Sequence, residues 1–185
     1  TIMINSKKII KKTLLYRVDG GNVWGVSMGH LKRALILAEK LERKYNIYFV
    51  MKNYPDGVSY VKTMGWNVCI IDSKDDTDDT LIRLCEYYTP DKVIFDLNEN
   101  SYTDFYDYAT SRNIRTIVFD ITGNCLGSPD IIINDSLVPC QIRYPHMNQK
   151  TRIFTGPQFF IMDNPPQIIP IQQNIENVVI TFGGS

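Results

Sequence analysis

From about residue 13 onward, apolar runs of strand length alternate with amphipathic stretches of helical period. The strand-like runs are "TLLYRV" (13–18), "IYFVM" (47–51), "NVCII" (67–71), "KVIFD" (92–96), "IRTIVFD" (114–120) and "DIIIND" (130–135). Between them the spacing of apolar positions predicts helices over about 29–45, 57–64, 78–88 and 102–112. The strand runs are rich in Val, Ile and Phe with no polar alternation, which is how strands covered on both faces look in sequence. Strands of that kind separated by helices build a parallel sheet with crossover helices. The expected fold is therefore α/β, a Rossmann-like doubly wound parallel sheet of six or so strands. In the first helix Leu31, Ala34, Leu35, Ala38 and Leu41 recur at steps of three and four, while Lys32, Glu39, Lys40, Arg43 and Lys44 occupy the other face. Those leucines and alanines are core positions.

The texture changes near Asp163, where "DNPPQIIPIQQN" brings three prolines into a short stretch. Proline lacks the backbone donor that helices and central strands need, so this segment reads as a linker. "NVVITFGGS" then resumes a buried-strand pattern that runs into Gly183 and Gly184. A strand entering a glycine pair is how an α/β domain starts a phosphate-facing turn. The organisation expected is a lead-in over 1–12, a Rossmann-like domain over 13–162, a Pro-rich linker over 163–176 and, over 177–185, the first strand of a second α/β domain. On this reading the chain is a fragment of a longer protein. Its 185 residues accommodate one domain with a proper core.

Composition narrows the partners. Lys+Arg and Asp+Glu number 20 each, so the formal net charge is zero and no overall field draws the chain to nucleic acid or an anionic membrane. The basic stretch "KKIIKK" (7–12) reads as a solvated lead-in. No run of apolar residues is long enough to span a bilayer, and a cytoplasmic protein is expected. Cys69, Cys85, Cys125 and Cys140 lie far apart without a C-x-x-C pair, and neither His30 nor His146 has a Cys or a second His at zinc-ligand spacing. Cys69 and Cys85 sit inside apolar patterns and read as reduced core residues.

In an open parallel sheet ligands bind beyond the carboxyl ends of the strands. Four aspartates stand at such ends: Asp19, Asp72, Asp96 and Asp120. Carboxylates gathered on one rim without a cationic cluster suit a hydroxyl-rich ligand whose O–H groups they accept; a magnesium site is the competing reading. The acid run "DSKDDTDD" (72–79) lacks the glycine and the terminal glutamate of a calcium loop, and reads as a solvated, helix-capping loop. The opening loop "RVDGGNVWGVSMGHLKRA" has neither a G-K-[ST] phosphate loop nor G-x-G-x-x-G spacing, which argues against a dehydrogenase. Its glycines allow the backbone to pass close to a ligand. His30 falls in the first helical turn, where the helix dipole disfavours the imidazolium, so a neutral ring serving as a general base is expected.

Taken in order along the chain, several segments carry a family resemblance. "RVDGG…GHLKRALILAEKL", "VIFDLNE", "TIVFDITGN", "TRIFTGPQFFIMD" and "VVITFGGS" resemble the signature segments of the UDP-sugar hydrolase of pseudaminic acid biosynthesis and of related spore-coat polysaccharide glycosyltransferase-like proteins. The resemblance runs from about residue 13 to the end. That family is similar to the lipid-linked N-acetylglucosamine transferase of peptidoglycan synthesis, which also carries a histidine in its first Gly-rich loop. The resemblance implies the GT-B architecture, two Rossmann-like domains facing one another across a cleft, of which this chain would be the N-terminal half.

What the resemblance implies about function is specific. His30 would be the catalytic base that activates water or an acceptor hydroxyl, with Arg17, Asp19, Gly25, Gly29, Arg33, Asp96 and Asp120 around the substrate. Gly183 and Gly184 would open the nucleotide-binding loop of the second domain. The substrate would be a nucleotide sugar, a UDP-sugar by resemblance, cleaved without a metal or other cofactor because backbone amides and a helix dipole neutralise the leaving diphosphate. One departure stands out: four residues separate Gly25 from His30, where the family pattern has two. The rival expectation is a non-catalytic carbohydrate-binding or assembly domain that keeps the half-fold.

Overall fold

The computed structural model describes residues 11–137, 144, 147–163 and 178. The linker, the glycine pair Gly183 and Gly184, Cys140, His146 and most of the basic lead-in lie outside the described residues. Within them the chain alternates strands β1 (Lys12–Val18), β2 (Tyr45–Lys52), β3 (Asn67–Ile71), β4 (Lys92–Asp96), β5 (Arg115–Phe119), β6 (Ile131–Asn134) and β7 (Arg152–Thr155) with helices α1 (Gly29–Leu41), α2 (Pro55–Thr63), α3 (Asp78–Tyr88) and α4 (Asp104–Ser111). All seven strands pair in parallel in the order β3-β2-β1-β4-β5-β6-β7. The chain thus starts mid-sheet, winds outward to β3, then returns beside β1 with β4 and winds out the other way. This is the doubly wound Rossmann-like topology, and its strand order reverses between β1 and β4.

Strand alternation sorts the core into two layers, one on each face of the sheet. Leu14, Tyr16 and Val18 of β1 pack with Leu31, Ala34, Leu35 and Ala38 of α1 and with Val58 and Val61 of α2. Leu15 of β1, Val50 of β2 and Phe95 of β4 face Leu81 and Cys85 of α3 and Phe105, Tyr106 and Ala109 of α4. Phe95 is ringed by Tyr102, Phe105 and Tyr106 at centroid separations of 5.2 to 5.8 Å, the range of favourable aromatic pairs. Burial pushes the Cys85 and Cys125 thiols up to about 12, so both are uncharged at neutral pH.

Local signals account for the helix starts. Pro55 opens α2, where its fixed φ suits the first helical position. The Thr77 side chain accepts the Thr80 N–H and caps α3. Gly57 packs the face of α2 so closely on the loop after β1 that a Cβ there would lie 1.8 Å from the Gly20 carbonyl oxygen.

Two boundaries differ from the sequence expectation, and one strand was not named in it. Helix α1 ends at Leu41, four residues before the expected end, and β2 begins at Tyr45 instead of Ile47. Tyr45 and Asn46 pair in register with Lys12 and Thr13, so sheet hydrogen bonding claims residues that the charged run "ERK" joined to the helix by pattern alone. The sheet also has a seventh strand, β7, within "TRIFTGPQFF". It is four residues long and largely exposed at the sheet edge, too short to show a strand period.

Candidate active site at the sheet switch point

Between the carboxyl ends of β1 and β4 a cleft of about 370 Å³ opens, lined among others by Asp19, Gly25, His30, Asp76, Asp96 and Asn98. Strands β1 and β4 are neighbours whose onward connections run to opposite sides, so the loops leaving them part and leave this crevice. Asp19 follows β1, His30 sits in the first turn of α1, and Asp96 is the last residue of β4.

Asp96 is fully buried and organises one half of the cleft. Its position in β4 places it on the α1 face with Ile94, where α1 presents His30 and Arg33 one turn apart. The Asp96 carboxylate lies 2.6 Å from His30 Nδ1 and accepts from Arg33 Nε at 2.8 Å and from Arg33 Nη2. Arg33 Nη1 donates to Asp135 at 3.0 Å, beyond the end of β6, and the guanidinium lies 5.0 Å from the Phe119 ring centroid. Burial opposes the Arg33 charge most strongly, but hydrogen bonding to Asp96 and the charges of Asp96 and Asp135 together outweigh it and the net shift is upward.

The same carboxylate decides the state of His30. Its hydrogen bond to Asp96 raises the imidazole above its ordinary value, against the opposing pull of burial and of the Arg33 charge. This pull is opposite to that of the helix dipole, from which a neutral ring was expected. The dipole amounts to about half a charge spread over the first turn, whereas Asp96 is a full, buried charge in direct contact. His30 Nε2 lies 2.7 Å from Asn98 Oδ1.

Arg17 organises the other half. It faces the α3 and α4 layer and is completely buried. Nη1 donates to Asp19 Oδ1 at 2.7 Å and to the Val50 carbonyl at 3.3 Å, and Nη2 to Asp19 Oδ2 at 2.8 Å and Asp76 Oδ2 at 2.9 Å. Nε reaches Asp76 Oδ1 and the Tyr102 hydroxyl, which itself donates to Asp76. Burial works against the Arg17 charge and the bond to Asp19 for it, and the balance is upward. Asp76 shows the complement: burial would raise its carboxyl, yet the Arg17 guanidinium and Lys52 bring it down to about 2.

The strand-end aspartates therefore part company. Asp19 and Asp96 reach the cleft, Asp72 is exposed, and Asp120 turns onto its own loop. Asp120 accepts from the backbone N–H groups of Thr122, Gly123, Asn124 and Cys125 and does not line the His30 cleft. Gly25 adopts φ +78° in a tight turn closed by the Val23–Val26 bridge and borders the cleft, while Gly29 is the first residue of α1. The rim is also not free of cations, as its carboxylates were expected to be: Arg17, Lys52 and Arg33 are interleaved with them. Among the described residues no cluster of three or more His, Cys, Asp or Glu side chains is placed to hold a metal ion.

Sequence reasoning missed Asp76, Asp135, Lys52 and Asn98. Asp135 follows "DIIIN" and could have been found by the same strand-end rule that singled out Asp96. Asp76 lies in the acid run read as solvated; no local pattern separates it from Asp75 and Asp79, which are exposed. Only the need of a buried arginine near the end of an apolar strand for further anionic partners could have pointed to it.

No protein-family model matches the chain, and none of the curated proteins searched matches it. Among solved structures, the crystal structure of Acinetobacter baumannii MurG aligns with a TM-score of 0.47 at 12% sequence identity, over 66% of this chain and 41% of that one. The chain thus spans well under half the length of that protein. The doubly wound assignment stands on the strand order and register described above. No described helix is long and apolar enough to cross a membrane.

Proposed function

We propose that this domain is the sugar-facing, N-terminal half of a GT-B nucleotide-sugar hydrolase or glycosyltransferase, with His30 as its general base. The observation that carries the reading is the His30–Asp96 pair at the sheet switch point, 2.6 Å apart and open to the cleft. A carboxylate behind one imidazole nitrogen orients the ring and stabilises the cation formed when the other nitrogen takes a proton. In the reaction envisaged, neutral His30 accepts through Nε2 the proton of a water or an acceptor hydroxyl. That oxygen forms a bond to the anomeric carbon of the sugar, and the bond from the same carbon to the diphosphate oxygen breaks, its electron pair leaving with the diphosphate.

Arg17 has every donor engaged and acts through the carboxylates it holds, Asp19 and Asp76; Asp76 is filled by Arg17, Tyr102 and Lys52, and Asp19 Oδ2 is left to accept a sugar hydroxyl. Arg33 fixes Asp96 in the same manner. The diphosphate contacts belong to the second domain, which Gly183 and Gly184 would open on the family resemblance. The UDP-sugar substrate, and a place in pseudaminic-acid-type or spore-coat glycan synthesis, rest on that resemblance as well.

The test is nucleotide release from a panel of UDP- and CMP-sugars by the full-length protein and its His30→Ala variant. Loss of at least about a hundredfold in turnover, with a smaller change in binding, is expected for a general base. Equal rates in the two proteins would overturn the base assignment. Glycan binding with no nucleotide release by the wild type would identify a carbohydrate-binding module instead.

A further inference from the structure

Asn98 stands two residues beyond Asp96, exposed at the mouth of the cleft. Its Nδ2 donates to the Gly25 carbonyl at 3.0 Å and its Oδ1 lies 2.7 Å from His30 Nε2. The first contact fixes the second, because a carbonyl oxygen only accepts: the amide nitrogen must face Gly25 and the amide oxygen must face the ring. Nε2 therefore carries a hydrogen to give to Oδ1. Nδ1 faces the Asp96 carboxylate, which also only accepts when ionised. Asn98 thus fixes the hydrogen on Nε2, while at Nδ1 the Asp96 carboxylate, which favours a second hydrogen and so an imidazolium, competes with the donor Arg33 Nη2. The groups within hydrogen-bond distance of the ring pull both ways: Asp96 from β4 favours the cation, Arg33 Nη2 from α1, 3.1 Å from Nδ1, opposes it, and Asn98 favours it as a neutral acceptor; Asp19, Lys52, Asp76 and Glu99 line the same cleft.

We infer that Asn98 is a positioning residue that bridges the Val23–Val26 turn to His30 and keeps the proton on Nε2, so that an attacking oxygen must take the place of the Asn98 oxygen before His30 can act as a base. The idea rests on the proposed role of His30. Displacing the Asn98 oxygen removes the acceptor that holds the Nε2 hydrogen; that proton then passes to solvent, and the neutral Nε2 can accept one from the attacking oxygen.

The bridge is measurable without any substrate, because the chain has only two histidines. NMR titration of the chain resolves both imidazoles, and His30→Gln identifies which resonance belongs to position 30. Asn98→Ala removes the acceptor and is expected to lower the His30 midpoint by about half a unit, roughly threefold in the protonation constant. Asn98→Asp puts a carboxylate at Nε2 and is expected to raise it by a similar amount or more. The exposed position makes both variants compatible with the fold, which amide fingerprint spectra check. In the full-length protein the acid limb of the kcat/KM profile should move in the same two directions. Midpoints unchanged in both variants overturn the inference, whatever His30→Ala does to turnover. Shifted midpoints with a silent His30→Ala leave the bridge standing and refute the base assignment instead.

Discussion

Replacing Asp96 by Asn tests the centre of the site, because it keeps the shape of the side chain and removes its charge. The carboxylate is fully buried and takes hydrogen bonds from Arg33 Nε, Arg33 Nη2 and His30 Nδ1. The amide offers one acceptor and turns an NH₂ group toward donors. Arg33, with a side chain 10% exposed, is left with Asp135 as its ion-pair partner. Removing one partner of a buried pair costs about 3–5 kcal/mol. The retained Asp135 contact and the freedom of His30 to lose its proton place this variant near the low end, about 3 kcal/mol. Against a total of about 5–15 kcal/mol for a domain, it should fold but melt earlier.

The pH dependence of that loss separates the two partners of Asp96. His30 has a folded value raised above its ordinary one, so its contribution to stability is fully present below the unfolded value of 6.5 and is lost as pH rises through the folded value. Asp96→Asn abolishes that contribution. The stability gap between wild type and variant should therefore be widest in mild acid and narrow with rising pH to the residue left by Arg33. Urea denaturation from about pH 5.5 to about pH 9 measures the gap, and a histidine NMR titration should show the His30 midpoint falling in the variant. A gap that stays flat or widens with pH, or an unmoved midpoint, would refute the reasoning. In the full-length protein the same change should reduce turnover by roughly 10²- to 10⁴-fold, as expected when a general base loses its orienting carboxylate.

Two further outcomes follow from the same contacts. Arg17→Met leaves Asp19 and Asp76 facing an apolar stem and should destabilise the fold by about 3–5 kcal/mol at neutral pH. Asp76 is held at about 2 in the wild type, so its contribution is present above the ordinary value of 3.8 and lost as pH falls through 2; thermal melts should show the gap closing in strong acid, and a loss under about 1 kcal/mol at pH 7 would contradict the buried-pair account. Gly57→Ala places a methyl group 1.8 Å from the Gly20 carbonyl oxygen. It should cost about 1–3 kcal/mol through displacement of α2 from the loop, despite a helix-propensity gain of up to about 1 kcal/mol; a variant as stable as wild type by urea denaturation would show that α2 does not sit there.

The architecture was legible in the sequence because its determinants are local. Unbroken Val-, Ile- and Phe-rich runs show strands covered on two faces, and the three-and-four spacing of Leu31, Leu35 and Ala38 names the buried face of α1 before any contact is known. Parallel strands carry their ligand sites at the carboxyl ends, so Asp19, His30 and Asp96 could be assigned to one rim from their places in the pattern. What each of those residues does there was not legible. His30 was expected neutral from its place in a helix, and a carboxylate 66 residues further along the chain pulls it the other way. Asp120 has the same strand-end position as Asp96, yet it folds onto its own backbone amides while Asp96 meets an arginine and a histidine. Asp76 could not be told from its acidic neighbours until the path of the loop before α3 carried it to Arg17. The difference is physical: hydrophobic period is a property of a few consecutive residues, whereas the charge state and partner of a polar side chain depend on which loops the sheet order brings together, and that is decided only when the chain closes on itself.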